Sequence, residues 1–148
     1  MGGLEIYSVS KAIIRVEGSP EQTYLMSIKR DPGSDNEGKL EFLGGRMEPG
    51  ETPLETMVRE LAEEEATGNL SSVVKRRAND HAEHQIGNAL HFLFPLQISE
   101  AEYDELAHHP DESHGFRLIT AEDLAPSPQQ FTRKTNSIIQ LLDLTLEF

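Results

Sequence analysis

Two spacings of apolar residues run along this chain, every second residue and every third to fourth, and their alternation predicts most of its elements. Residues 4–16 carry Ile6, Tyr7, Val9, Ile13, Ile14 and Val16 in imperfect alternation, which predicts one strand or two short ones. A turn at residues 18–20 follows, and residues 23–30 then set Tyr24, Met26 and Ile28 against Leu25, Ser27 and Lys29, the pattern of a partner strand. After a loop at residues 31–38, rich in Asp, Asn, Gly, Ser and Pro, the residues Leu40, Phe42 and Leu43 predict a short strand leading into a glycine-bearing turn with Gly44, Gly45 and Gly50. The spacing then lengthens, and Leu54, Met57, Val58 and Leu61 form a helical stripe. Thr52 suits the N-cap, Pro53 the first helical position and Glu55 the third residue of a capping box, with Gly68 the expected stop.

Beyond that helix, Val73 and Val74 predict a strand over residues 71–76, residues 80–88 a polar loop, and Leu90, Phe92, Phe94 and Leu96 a strand over 88–97. A short helix over 99–108 is expected with Ser99 and Glu102 as its capping pair, then a loop over 110–115, a strand over 116–120 and a helical turn over 120–124. A final helix over 129–146 sets Phe131, Thr135, Ile138, Leu142 and Thr145 at helical spacing. The order β-β-β-α-β-β-α-β-α predicts an α/β fold with the first helix against a mixed sheet, and 148 residues suit one domain spanning 1–148.

Charge narrows the partners. Asp and Glu number 26 against 13 Lys and Arg, a formal net charge of −13, which repels nucleic-acid polymers and anionic membrane surfaces. A small anionic substrate remains compatible if a divalent cation neutralises it locally. The chain has no cysteine, so disulfides, thiolate metal sites and a cysteine nucleophile are excluded. No apolar run is long enough to span a membrane, and the first residues lack the basic and apolar regions of a secretory signal, so a cytoplasmic location is expected. Ile6 occupies the place where a myristoylation motif needs Ser or Thr.

The chemistry concentrates on the first helix. Glu60, Glu63 and Glu64 stand at i, i+3 and i+4, so their carboxylates leave one face, and Glu65 adds to the load. Such a cluster is self-repelling unless a cation occupies it, and carboxylate oxygens are hard ligands suited to Mg²⁺ or Mn²⁺. Taken alone, the acidic run reads first as a solvated helix face, as most charge runs do. The paired glycines permit a turn with φ > 0. Lys29 and Arg30, close in sequence to the glycines, and the triplet Lys75, Arg76 and Arg77 are phosphate contacts or, more simply, exposed bases. His81, His84 and His91 lack ligand spacing and read as ordinary loop and strand histidines.

Gly45, five residues, Glu51, seven residues, Arg59-Glu60-Leu61, one residue, Glu63-Glu64: this spacing resembles the signature of the Nudix hydrolases, G-x5-E-x7-R-E-U-x-E-E-x-G-U with U aliphatic. Over residues 45–67 the match departs at its end, where Ala66 and Thr67 replace the glycine and the aliphatic residue. The resemblance implies an α/β/α sandwich with a central mixed sheet over the whole chain. It further implies that Glu60, Glu63, Glu64 and the Gly45 carbonyl bind Mg²⁺ (or Mn²⁺), with Arg59 and Glu51 as a supporting pair and Glu112, or His114 in its place, as the extra acid or base. Arg46 and Lys29 are the candidates for substrate contact. The implied reaction is metal-dependent cleavage of the pyrophosphate bond in a nucleoside diphosphate linked to another group X, a nucleoside triphosphate, nucleotide sugar or dinucleotide, releasing a nucleoside monophosphate or related phosphate. The alternative is a non-catalytic nucleotide-binding regulatory module on the same fold, and a homodimer is common among relatives.

Overall fold

The computed structural model describes residues 6–18, 22–78 and 80–144. The strand start expected at Leu4, the turn at Ser19 and Pro20, and the helix end beyond Leu144 lie outside them. The elements are β1 (Tyr7–Glu17), β2 (Thr23–Lys29), β3 (Leu40–Glu41), β4 (Leu43–Arg46), α1 (Pro53–Glu64), α2 (Asn69–Arg77), β5 (Ala82–Ile86), β6 (Ala89–Ser99), α3 (Glu100–Asp104), β7 (Ser113–Thr120) and α4 (Arg133–Leu144).

β1 is the central strand, buried continuously from Val9 to Ile14, which is why its alternation looked imperfect. One edge pairs in parallel with β6 from Tyr7↔Ala89 to Glu17↔Ser99. The other edge is shared: β2 pairs it antiparallel only at Arg15 and Val16, and β4 pairs it from Val9 to Ala12. β2 correspondingly carries β3 at Ser27 and Ile28, with β7 on its far edge. Residues 40–46 are thus a wedge where β1 and β2 part, crossing from one strand to the other at the fully buried Phe42.

Side-chain alternation divides the interior into two cores. Ala12, Ile14, Val16, Phe94, Leu96 and Ile98 face α1 and α2, where Met57, Leu61, Leu70, Val73 and Val74 cover them. Ile13, Leu93, Met26, Phe42 and Phe131 face α4 through Ile138, Ile139 and Leu142. The result is the expected α/β/α layering around a mixed sheet.

Several elements differ from expectation. Residues 71–76 are not a strand but most of α2, because Leu70, Val73 and Val74 meet the core at helical spacing. Gly68 does not stop α1, which ends at Glu64; with φ 81 it opens α2 instead. The supposed loop at 80–88 contains β5, hydrogen-bonded to β6 from Ala82↔Leu93 to Ile86↔Ala89. The single strand expected at Leu40, Phe42 and Leu43 is split into β3 and β4, α3 is shorter than its capping box suggested, and α4 starts at Arg133. Leu54, placed in the apolar stripe, is 37% exposed, whereas Thr56 is buried. Among the described residues no helix is long and apolar enough to cross a membrane.

Candidate active site

α1 begins as its sequence requires: the Thr52 side chain accepts from the Glu55 N–H at 3.1 Å and Glu55 accepts from the Thr52 N–H at 2.9 Å. The Ser10 hydroxyl donates to the Pro53 carbonyl at 3.0 Å, tying this helix start to β1. The turn before it is locked by Glu51, whose carboxylate accepts from the Glu48 N–H at 2.8 Å and the buried Thr56 hydroxyl at 2.9 Å. Arg59 grips the same carboxylate with Nε at 2.7 Å and Nη2 at 3.0 Å, holding its pKa down to about 2.

The remaining donors of Arg59 reach the Arg46 carbonyl at 3.0 Å, Glu60 at 3.0 Å and Glu63 at 3.2 Å. One guanidinium therefore connects β4, the turn and two of the three helical acids. Glu63 is the most exposed of these, with 47% of its side chain accessible against 15% for Glu60.

Both glycines lie within β4 rather than in a turn, and each has a separate reason. Gly44 has φ 133, and a Cβ there would stand 2.1 Å from the Ser10 carbonyl oxygen. Gly45 has no positive φ, but its missing Cβ leaves the space filled by the Glu60 carboxyl, 2.5 Å from where that atom would be. Glu64 accepts from the Gly44 N–H through both oxygens at 3.3 Å. Although part of the residue reaches the surface, its carboxyl end is enclosed, and burial pushes its pKa up to about 8 against the opposing pull of Lys11. Burial, followed by the charge of Glu63, likewise raises the pKa of Glu60.

These oxygens fit a hard dication: two enclosed carboxyls and a more exposed third, next to a backbone stripped of Cβ. Among the described residues no three acids or histidines already converge as a cage, since Arg59 holds Glu60 and Glu63.

The structure does not bring the other sequence candidates into this cluster. Glu112 is exposed in the turn before β7, its N–H donating to the His109 carbonyl at 2.9 Å. His114 pairs with Glu37 at 2.9 Å. Arg46 is exposed and lies 4.4 Å from the centre of the Tyr7 ring, and Lys29 is 3.6 Å from Glu41. His81 packs against Phe92 and Phe94, whereas His91 is fully buried within the influence of Lys11 and Lys134. The basic triplet closes α2, and Arg77 forms two 2.8 Å bonds with Glu102.

One residue went unrecognised in the sequence, and a second, Glu65, was counted with the acidic cluster that it does not join. Lys11 is 9% exposed and donates to the carbonyls of Phe42 at 3.1 Å and Gly44 at 3.3 Å, so it braces the wedge beside Glu64. Its only signal was a lysine inside a strand of apolar neighbours. Glu65 turns away from the acidic cluster and is 1% exposed, accepting from Thr67 Oγ1 at 2.6 Å and from the N–H groups of Thr67 and Ala107 at 3.0 Å and of Leu70 at 3.1 Å.

Comparison with known families gives a match to the NUDIX domain over residues 8–142. The chain belongs to the Nudix family. With that membership goes the class of enzyme, a Nudix-type pyrophosphohydrolase acting on phosphorus anhydrides. No curated protein matches the sequence. Among solved structures, the Nudix fold superimposes on a MutT protein from Methanosarcina mazei Go1 with a TM-score of 0.68 at 16% identity, covering 97% of each chain. It is also similar to a bifunctional NMN adenylyltransferase/ADP ribose pyrophosphatase from Francisella tularensis, solved with AMP and a Mn ion (TM-score 0.71, 14% identity, 95% of this chain and 42% of that one). A third similar structure is a C. elegans Ap4A hydrolase, with a TM-score of 0.61 at 14% identity over 94% of this chain and 98% of the other.

Proposed function

We propose that this Nudix protein is a divalent-metal-dependent hydrolase that cleaves the pyrophosphate bond of a nucleoside diphosphate joined to a group X. The observation that carries this reading is the pair of carboxyls, Glu60 and Glu64, seated against the Gly44–Gly45 backbone, with Glu60 sharing Arg59 with Glu51 and Glu63. Glu60, Glu63, Glu64 and the Gly45 carbonyl would hold Mg²⁺ or Mn²⁺. When bound, such an ion offsets phosphate charge and lowers the pKa of a water toward neutrality.

The chain's own groups divide the remaining work. Arg59 is committed to Glu51, Glu60, Glu63 and the Arg46 carbonyl, which favours a role in orienting helix and loop over direct phosphate contact. The proposed proton acceptor is one of the three helical acids, or Glu112 on the turn that enters β7 opposite the end of β2. Lys29 and Arg46 are the proposed substrate contacts.

The test is release of nucleoside monophosphate with Mg²⁺ or Mn²⁺ from ADP-ribose, dinucleoside polyphosphates, nucleotide sugars and nucleoside triphosphates. Glu64→Gln is expected to lower turnover by ~10²-fold or more with circular dichroism unchanged. Equal rates for the two proteins would refute the assignment.

A further inference from the structure

In a chain with twice as many acids as bases, 26 against 13, the bases are unevenly spread. A pocket of ≈ 290 Å³ is lined by Lys11, Lys29, Arg133 and Lys134, four of those 13. The one acid in its lining, Glu41, lies 3.6 Å from Lys29 and offsets that charge. Lys11 directs its protons to two backbone carbonyls, and Lys134 donates to the Tyr7 hydroxyl, all neutral partners. Lys11, Arg133 and Lys134 therefore bring three positive charges to the lining of a concavity that holds no second carboxylate, with Lys11 shared with Glu60 and Glu64.

The chemistry of the wall separates two kinds of occupant. A nucleobase is held by stacking on aromatic rings, and no aromatic ring lines this pocket. Cations beside Thr135, whose hydroxyl accepts from the Thr132 hydroxyl at 2.8 Å and keeps its own proton to donate, suit phosphate oxygens, which accept several strong charge-assisted hydrogen bonds at once. The pocket also starts beside the acidic cluster. Lys11 bonds the carbonyl of Gly44, whose N–H is held by Glu64, and the charges of Lys11 and Glu41 both act on Glu64.

We propose that this pocket takes a phosphate monoester carried on the part of the substrate remote from the cleaved anhydride, so that the preferred substrates are diphosphates bearing a further phosphate. The inference rests on the reading of Glu60 and Glu64 as the reaction centre.

Matched pairs differing by a single phosphate test it: coenzyme A against dephospho-coenzyme A, and NADPH against NADH. With Mg²⁺, kcat/KM of the full chain is expected to be at least ~10-fold higher for the phosphorylated member of a pair, mainly through KM. The ratio should collapse toward one in Arg133→Met/Lys134→Met and persist in Arg133→Lys/Lys134→Arg. Calorimetric binding of the same four compounds to Glu64→Gln reads the preference without turnover. Hydrolysis absent while binding still favours the phosphorylated members would sink the hydrolase assignment alone. Equal affinity within both pairs, no binding of any of the four, or a ratio indifferent to the methionine pair would overturn the pocket proposal.

Discussion

Glu64 is a carboxyl group that the folded chain prefers to keep protonated. Its pKa of about 8 stands above the ordinary 4.5, so the native state holds a proton that the unfolded chain releases. Stability of the metal-free protein should therefore fall as pH rises from about 4.5 to about 8, as far as this group contributes. Glu64→Gln is expected to flatten that slope and raise the melting midpoint at about pH 9 by about 2–4 °C, read by thermal denaturation in a chelator. The two glycines give contrasting outcomes. Gly44→Ala drives a Cβ into the Ser10 carbonyl at a positive φ and should destabilise by ~3 kcal/mol in urea titration. Gly45→Ala meets the movable end of the Glu60 side chain first, so the fold should survive while turnover drops by ~10-fold or more in the nucleotide-release assay.

At the scale of elements, the sequence was readable where the cause is local. The capping box of α1 needs only residues 52–55, and it stands as read. α2 was misread because β-branched Val73 and Val74 bias a short window toward strand, while the group that organises its start belongs to the preceding loop. That group is Glu65: burial pushes its carboxyl up, but the hydrogen bonds from Thr67, Ala107 and Leu70 prevail and its pKa is lowered. Its contribution is present above the ordinary carboxylate value and lost as pH falls through the depressed one. Glu65→Ala is expected to cost ~2–3 kcal/mol, measured by denaturant unfolding, because the buried N–H of Leu70 loses its acceptor and the part-buried N–H of Ala107 loses its own. β5 was missed for a different reason, since AEHQI is a polar edge strand whose pairing with β6 hydropathy cannot report. Of the site, the acids of α1 were visible by spacing; Lys11 was not, because a buried lysine is intelligible only once the carbonyls of Phe42 and Gly44 surround it.

For the whole molecule, the net charge of −13 sets a background of self-repulsion. Raising NaCl from about 0.02 to about 0.2 M shortens the screening length to under ~10 Å and should raise the melting midpoint by a degree or more, a shift that scanning fluorimetry resolves. The parallel ladder between β1 and β6 joins residues roughly eighty positions apart. On a ribosome, β1 emerges long before the strand that completes its second edge. The early half of the chain is therefore expected to wait with an open apolar ribbon, a condition that favours chaperone capture and late-committing folding.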